Sequence, residues 1–148
     1  AGAFIGGTGD YVALFEPQAT QIVNQGYGYK VAQLGTLTDN VPYTAYNARS
    51  SYIEENPEII KGFTRAIQRG LDFIHEKSSD EITTAIMNQF PDTSYNDLKT
   101  AVESYLDNDT WPKTTEFTKE SFDHLQDIVI EAGFLDKKVS YNDLIYVR

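Results

Sequence analysis

The chain has 148 residues, the length of one ordinary domain, and its 41% hydrophobic and 13% aromatic residues are enough to build a core. A formal net charge of -10, without any basic cluster, argues against nucleic-acid binding and against docking on anionic lipid. The absence of Cys excludes disulfides and thiolate zinc sites and fits an extracytoplasmic protein.

Apolar segments separated by a helical pattern predict a βαβ unit in the first third of the chain. Residues 11–15 are apolar enough for a strand that is covered on both faces, and a helix follows over 17–25. Residues 30–37 and 42–48 have the pattern of further strands, joined by a turn at 38–40. Because a strand, a helix and a strand in this order are normally parallel and right-handed, we expect an α/β fold.

From residue 50 onwards, apolar residues at helical spacing predict a helical segment. The Asn-Pro-Glu run at 56–58 combines a capping residue, a first-turn proline and an acid near the positive helix end. Ser78 has capping-box spacing to Glu81, and Thr118 is placed to cap the last long helix. The tail at 139–147 is predicted to be short and extended.

Glu16 lies where the first predicted strand meets the helix that follows it. Ligands of open α/β sheets bind beyond the carboxyl ends of strands, near helix N-termini. The carboxylate can therefore accept hydrogen bonds from a ligand, or it can simply cap the helix behind it. As a ligand group it would favour amine or amide donors over a sulfonate or nitrate.

The residues that carry metal or covalent chemistry elsewhere are isolated in this sequence. His75 and His124 each lie on a predicted helix without a second ligand at i+3 or i+4, so we expect no metal site. No Ser lies in a nucleophile-elbow context, and we expect neither catalytic residues nor a cofactor.

Several motifs resemble one family of solute-binding proteins. The run F-I-G-G-T-G-D-Y-V-A-L-F-E-P at 4–17 resembles the cleft segment of ABC-importer solute-binding proteins of the nitrate, sulfonate, taurine and thiamine-precursor type, called NMT1/THI5-like. The run at 42–49 is similar to that family's return strand. The Asn-Pro-Glu helix with Phe63 and Ala66, and the segment from Thr118 to the tail, resemble its C-terminal end.

The resemblance implies the C-terminal part of a type II periplasmic-binding-protein fold, in which two lobes close on a ligand. Residues 1–42 would be a remnant of lobe two, 43–49 a strand crossing the hinge, and 50–148 the helical part of lobe one. The family's N-terminal portion would be missing. The ligand-binding residues implied are Glu16, Pro17, Phe15, Tyr43 and Thr44.

The function implied is the extracytoplasmic binding component of an ABC importer, which binds a small polar nutrient such as a nitrogen-rich, pyrimidine-like compound without turnover. The whole protein would be periplasmic or a cell-surface lipoprotein, with the importer's membrane subunits as partners and self-association of this fragment expected. Two alternatives stay open. One is a pyrimidine-biosynthesis enzyme on the same fold, and the other is a helical protein-interaction module without ligand.

Overall fold

The computed structural model describes residues 1–38 and 41–146 of the chain. Among the described residues there are eight α-helices and two 3₁₀ turns, at Leu34–Thr36 and Met87–Gln89. None of the described helices combines the length and the apolar composition that a membrane crossing requires. In chain order the α-helices are α1 (Gly2–Ile5), α2 (Gln18–Asn24), α3 (Ser50–Glu55), α4 (Pro57–Glu76), α5 (Ser79–Ile86), α6 (Tyr95–Asp107), α7 (Lys119–Glu131) and α8 (Tyr141–Leu144).

The predicted α/β fold with its βαβ unit is wrong, because the described residues contain no strand. Residues 11–14 and 29–32 make no backbone–backbone hydrogen bond to another described residue. Residues 34–36, inside the second predicted strand, form a 3₁₀ turn instead. A strand exists only when a neighbouring backbone completes its ladder, and a strand-like composition does not supply that neighbour.

The helical predictions are largely confirmed. The helix expected at 17–25 is α2, and Gly26 follows it with a φ of +78°, a conformation that favours glycine at a helix end. The tail differs from the prediction, since it includes the short helix α8. Residues 39 and 40 of the predicted turn, and Val147 of the tail, lie outside the described residues.

The chain divides into two compact units, each built from two separate stretches of sequence. The first unit comprises Ala1–Gln33 and Gly70–Lys113, and the second comprises the described residues of Leu34–Arg69 and Thr114–Arg148. The lobe boundaries that the resemblance implied, at residues 42 and 49, stay a prediction.

The first unit is organised around the hairpin of α5 and α6. Ser78 and Glu81 form a full capping box at the start of α5, and Ser94 accepts a hydrogen bond from the backbone N–H of Asp97 at the start of α6. The amide of Asn24 on α2 donates to the Asp97 carboxylate at 2.6 Å. The buried apolar residues of this unit are Ile22, Leu71, Ile82, Leu98, Ala101 and Val102.

The second unit packs α7 and α8 around an aromatic cluster. The Phe122 ring lies edge-on to Phe117 at 5.9 Å and to Tyr141 at 5.7 Å, and the contact with Phe117 forms a hydrophobic staple at the start of α7. The buried side chain of Gln126 accepts from the backbone N–H of Val139 and donates to the same residue's carbonyl. That pair of bonds holds the tail against α7.

Candidate functional site

Glu16 lies one residue before Pro17, the N-cap position of α2, and its side chain caps this helix. Its Oε2 accepts a hydrogen bond from the backbone N–H of Thr20 at 2.9 Å, and only 7% of its side chain is exposed. A carboxylate at a helix N-terminus is also stabilised by the helix dipole. Of the two roles that the sequence allows for Glu16, the structure shows the capping role, and the ligand role stays a prediction.

A cavity of about 80 Å³ lies beside this carboxylate within the first unit. Glu16 and Pro17 form one wall, and α6 supplies another from residues spaced at i, i+3, i+4 and i+7, which share one helix face. The remaining wall comes from the end of α5 and the connectors after each helix. The lining residues are Glu16, Pro17, Ile86, Phe90, Leu98, Ala101, Val102, Tyr105 and Trp111.

Two aromatic rings meet at the cavity. The rings of Tyr105 and Trp111 lie edge-to-face with centroids 5.4 Å apart. Burial raises the pKa of the Tyr105 hydroxyl, and the Glu16 negative charge adds to that rise. A hydrogen bond that the backbone N–H of Glu16 donates to the hydroxyl oxygen opposes it. Burial and the Glu16 charge thus both disfavour the ionised form of Tyr105.

Glu16 forms an ion pair with Lys30. The Lys30 Nζ lies 3.8 Å from Glu16 Oε1 and donates to Ser104 Oγ at 3.1 Å. Because the Lys30 side chain is 44% exposed, solvent screens the attraction, and the pair leaves acceptor capacity on Oε1.

The other predicted site residues are distributed differently. Pro17 lines the cavity with Glu16, whereas Phe15 does not line it and is 64% exposed. Tyr43 and Thr44 belong to the second unit, where both are exposed. The structure brings Glu16 and Pro17 together in one cavity, and the ligand roles of all five residues stay predictions.

Sequence reasoning missed the aromatic residues of the cavity. Tyr105 and Phe90 have the sequence pattern of ordinary apolar residues at helical spacing. Trp111 lies in a connector, where the sequence alone does not distinguish a surface position from a core position. The available signal was that the chain's single Trp lies four residues after the end of α6, close to the face that carries Tyr105.

The two histidines are engaged in structural contacts. No three His, Asp or Glu side chains within 1–38 and 41–146 are grouped as a metal site would need. A ring nitrogen of His75 lies 3.2 Å from the Pro112 carbonyl, and one of His124 lies 3.1 Å from the Thr38 carbonyl. Both imidazoles therefore contact backbone oxygens of connectors.

An open depression of about 400 Å³ lies on α5, lined by Phe73, Asp80, Glu81, Thr84 and Ala85. Both of its carboxylates already have partners. Asp80 accepts hydrogen bonds from Lys99 and from the Tyr95 hydroxyl, each at 2.8 Å, and Glu81 closes the capping box. The Lys99 and Tyr95 bonds lower the pKa of Asp80. The two carboxylates of this depression are therefore paired and do not form a free anionic site.

Two curated relatives resemble the chain. It is 35% identical over 145 residues to the protein of Bacillus subtilis (strain 168) named "Putative binding protein YtlA", an alignment that covers 98% of this chain and 43% of the relative. It is 27% identical over 74 residues to the nitrate/nitrite binding protein NrtA of Synechocystis sp., covering 50% of this chain and 17% of the relative. The chain thus spans less than half the length of either relative. No solved structure matches it significantly.

The family comparison covers most of the described structure. The sequence model of the NMT1-like family matches residues 4–119, a range that includes Glu16, Pro17 and every other residue that lines the cavity. This agrees with the resemblance drawn from the motifs at 4–17 and 56–66. The chain belongs to the NMT1-like family.

Proposed function

We propose that this chain is part of an extracytoplasmic solute-binding component of an ABC importer, which binds a small polar nutrient without turnover. The observation that carries the proposal is the 35% identity to a protein named as a binding protein, because that alignment extends over nearly the whole chain. The family match and the second relative, whose name gives nitrate and nitrite as ligands, point to the same class of protein.

The finer parts of the proposal concern the ligand and the partners. Glu16 and Pro17 are proposed to contact the ligand, with Phe15, Tyr43 and Thr44 as further contacts and the ligand held between two lobes. The partners would be the importer's membrane subunits, and a lipid anchor outside this chain would hold the protein at the membrane. Self-association of the isolated chain belongs to the same proposal.

A ligand screen with a turnover control tests the proposal. The chain is mixed separately with nitrate, alkanesulfonates, taurine, thiamine-precursor pyrimidines and polyamines, and its unfolding temperature is measured in each mixture. A ligand present at 100 times its Kd stabilises the folded state by about 2.7 kcal/mol, which a thermal scan resolves easily.

The outcomes separate the alternatives. Stabilisation by one compound that mass spectrometry recovers unchanged supports a binding protein. Conversion of that compound would support the biosynthetic enzyme instead and overturn the proposal. If no compound in the panel shifts the unfolding temperature, the proposal fails for this chain, and the helical interaction module becomes the better account.

A further inference from the structure

We propose that the cavity beside Glu16 is a subsite for a small alkylammonium group. This inference rests on the proposed function, since it specifies which chemical group of the solute the first unit receives. The groups that carry it are the Glu16 carboxylate and the rings of Tyr105 and Trp111.

The size of the cavity limits the occupant. A cavity of about 80 Å³ exceeds the smallest space that holds one water molecule and is smaller than an engineered apolar cavity of about 150 Å³ that accepts benzene. The part of a solute that lies inside is therefore smaller than a whole pyrimidine ring, and the rest would extend through the open side of the cavity. An ammonium group with one or two carbons does fit.

The lining favours an organic cation. Apart from Glu16, the walls are aliphatic or aromatic side chains, and the electron-rich ring faces of Trp and Tyr attract cations. The alkyl part of the occupant would contact residues such as Ile86 and Val102, while its N–H groups could reach the remaining acceptor positions of Glu16.

The charge beside the cavity favours a cation over an anion. The Glu16 carboxylate, 7% exposed, would repel a buried anion, and it has an ammonium partner, that of Lys30, only at the long distance of 3.8 Å. The same negative charge adds to the effect of burial in raising the pKa of the Tyr105 hydroxyl, so that it acts on the aromatic side of the cavity as well. A purely apolar occupant would make no use of the carboxylate.

The proposal is tested with ethylammonium chloride, ethanol and sodium nitrate at equal ionic strength. Ethylammonium and ethanol have the same number of heavy atoms and differ in charge. Trp111 is the chain's single Trp, so its indole NMR signal and its fluorescence report directly on the cavity. For so few heavy atoms we expect a Kd of about a millimolar for ethylammonium, and at least about tenfold weaker binding of ethanol and nitrate.

Variants identify the groups responsible, with methyl signals of Ile86 and Val102 as reporters. Glu16→Gln retains an oxygen for the Thr20 N–H but removes the charge, and we expect at least about a tenfold rise in the Kd for ethylammonium. Trp111→Leu should raise it by about five- to tenfold. Lys30→Met should lower it by about threefold, because the competing ammonium is gone. The matched control is Tyr29→Leu, an aromatic removed at a 92% exposed position of the same unit, which should leave the Kd unchanged.

The outcomes distinguish this inference from the proposed function. If nitrate or ethanol binds as well as ethylammonium, or if Lys30→Met and Trp111→Leu leave its Kd unchanged, the alkylammonium subsite is wrong. If ethylammonium gives no shift while another solute of the ligand screen binds, the subsite is also wrong, but the binding function stands. Should neither ethylammonium nor any screened solute bind, both proposals fail.

Discussion

The hairpin of α5 and α6 and the extended segments at 11–14 and 29–32 belong to the same unit but differ in how they bury apolar side chains. In the hairpin, Ile82 and Leu98 are each 2% exposed. In the extended segments, Tyr11 is 82% exposed and Tyr29 is 92% exposed, although both segments are as apolar in sequence as the helices.

The difference shows which kinds of secondary structure a segment can specify by its own sequence. A helix satisfies its backbone within one segment, so that apolar periodicity and capping residues are enough to fix it. An extended segment needs another backbone to complete its hydrogen bonds, and that backbone is defined by the fold rather than by the segment.

The largest expected contrast is in amide hydrogen exchange. Amides in the middle of α6 should exchange at least about a thousandfold more slowly than those of residues 11–14, because α6 opens only with the unit's core. Exchange followed by NMR at each residue gives the measurement. Slow exchange at 11–14 would mean that these residues are paired, and it would remove the contrast on which the comparison rests.

One substitution made in both regions gives the next largest effect. Val102→Ala, at a 2% exposed position of α6, should lower the free energy of unfolding by about 2 kcal/mol through the loss of two buried methyl groups. Val31→Ala, at a 76% exposed position, should change it by less than about 0.5 kcal/mol. Urea unfolding of the two variants measures both values. Equal losses would show that the extended segment is buried in solution.

Removing the capping side chain of a helix should have a smaller effect on stability, and a second serine serves as the control. Ser94 accepts the Asp97 N–H at 3.1 Å, so Ser94→Ala should destabilise the chain by about 1 kcal/mol. Ser140 occupies the same position before α8 but makes no such bond, and Ser140→Ala should cost less than about 0.5 kcal/mol. Chemical unfolding monitored by circular dichroism compares them. A loss at Ser140 as large as that at Ser94 would contradict the local origin of helix stability.

The smallest expected effect is on the pH dependence of the hairpin. Hydrogen bonds from Lys99 and Tyr95 lower the pKa of Asp80 below its ordinary 3.8, so this carboxylate's contribution is complete above that pH. The contribution decreases as the pH falls through the lowered pKa. Asp80→Asn should therefore reduce the difference in urea midpoint between neutral and strongly acidic pH.

A double-mutant cycle tests whether the effect of Asp80 on the pH dependence comes from its contact with Lys99. Lys99→Met should reduce the same difference, and combining it with Asp80→Asn should add little, since each substitution removes the same contact. Fully additive effects would show that the Asp80–Lys99 contact does not hold in solution.

The sequence predicted those parts of the fold that depend on neighbours along the chain. The capping residues Ser78 and Thr118 start helices as expected, and Pro57 begins α4. The strands predicted at 11–15, 30–37 and 42–48 are wrong, because an apolar pattern indicates a surface that could pair and does not supply the strand it would pair with.

In the candidate site, too, one feature could be predicted from local sequence and another depends on the tertiary fold. The position of Glu16 before a helix could be predicted from local sequence, and the structure places its carboxylate at the start of α2. The contact between Tyr105 and Trp111 could not be predicted from local sequence, because it depends on how the connector after α6 turns back on the helix. An aromatic residue on a helical stripe has the same sequence signature whether it faces a solid core or a cavity.

The contact between Gln126 and Val139 has a consequence for chemical ageing. One side-chain amide there serves both the N–H and the carbonyl of a single residue, a task that needs a donor and an acceptor together. Deamidation to Glu would keep the size and the acceptor but lose the donor, and it would place a negative charge at a 5% exposed position. Aged samples should therefore release the tail from α7 while the α5–α6 hairpin remains intact.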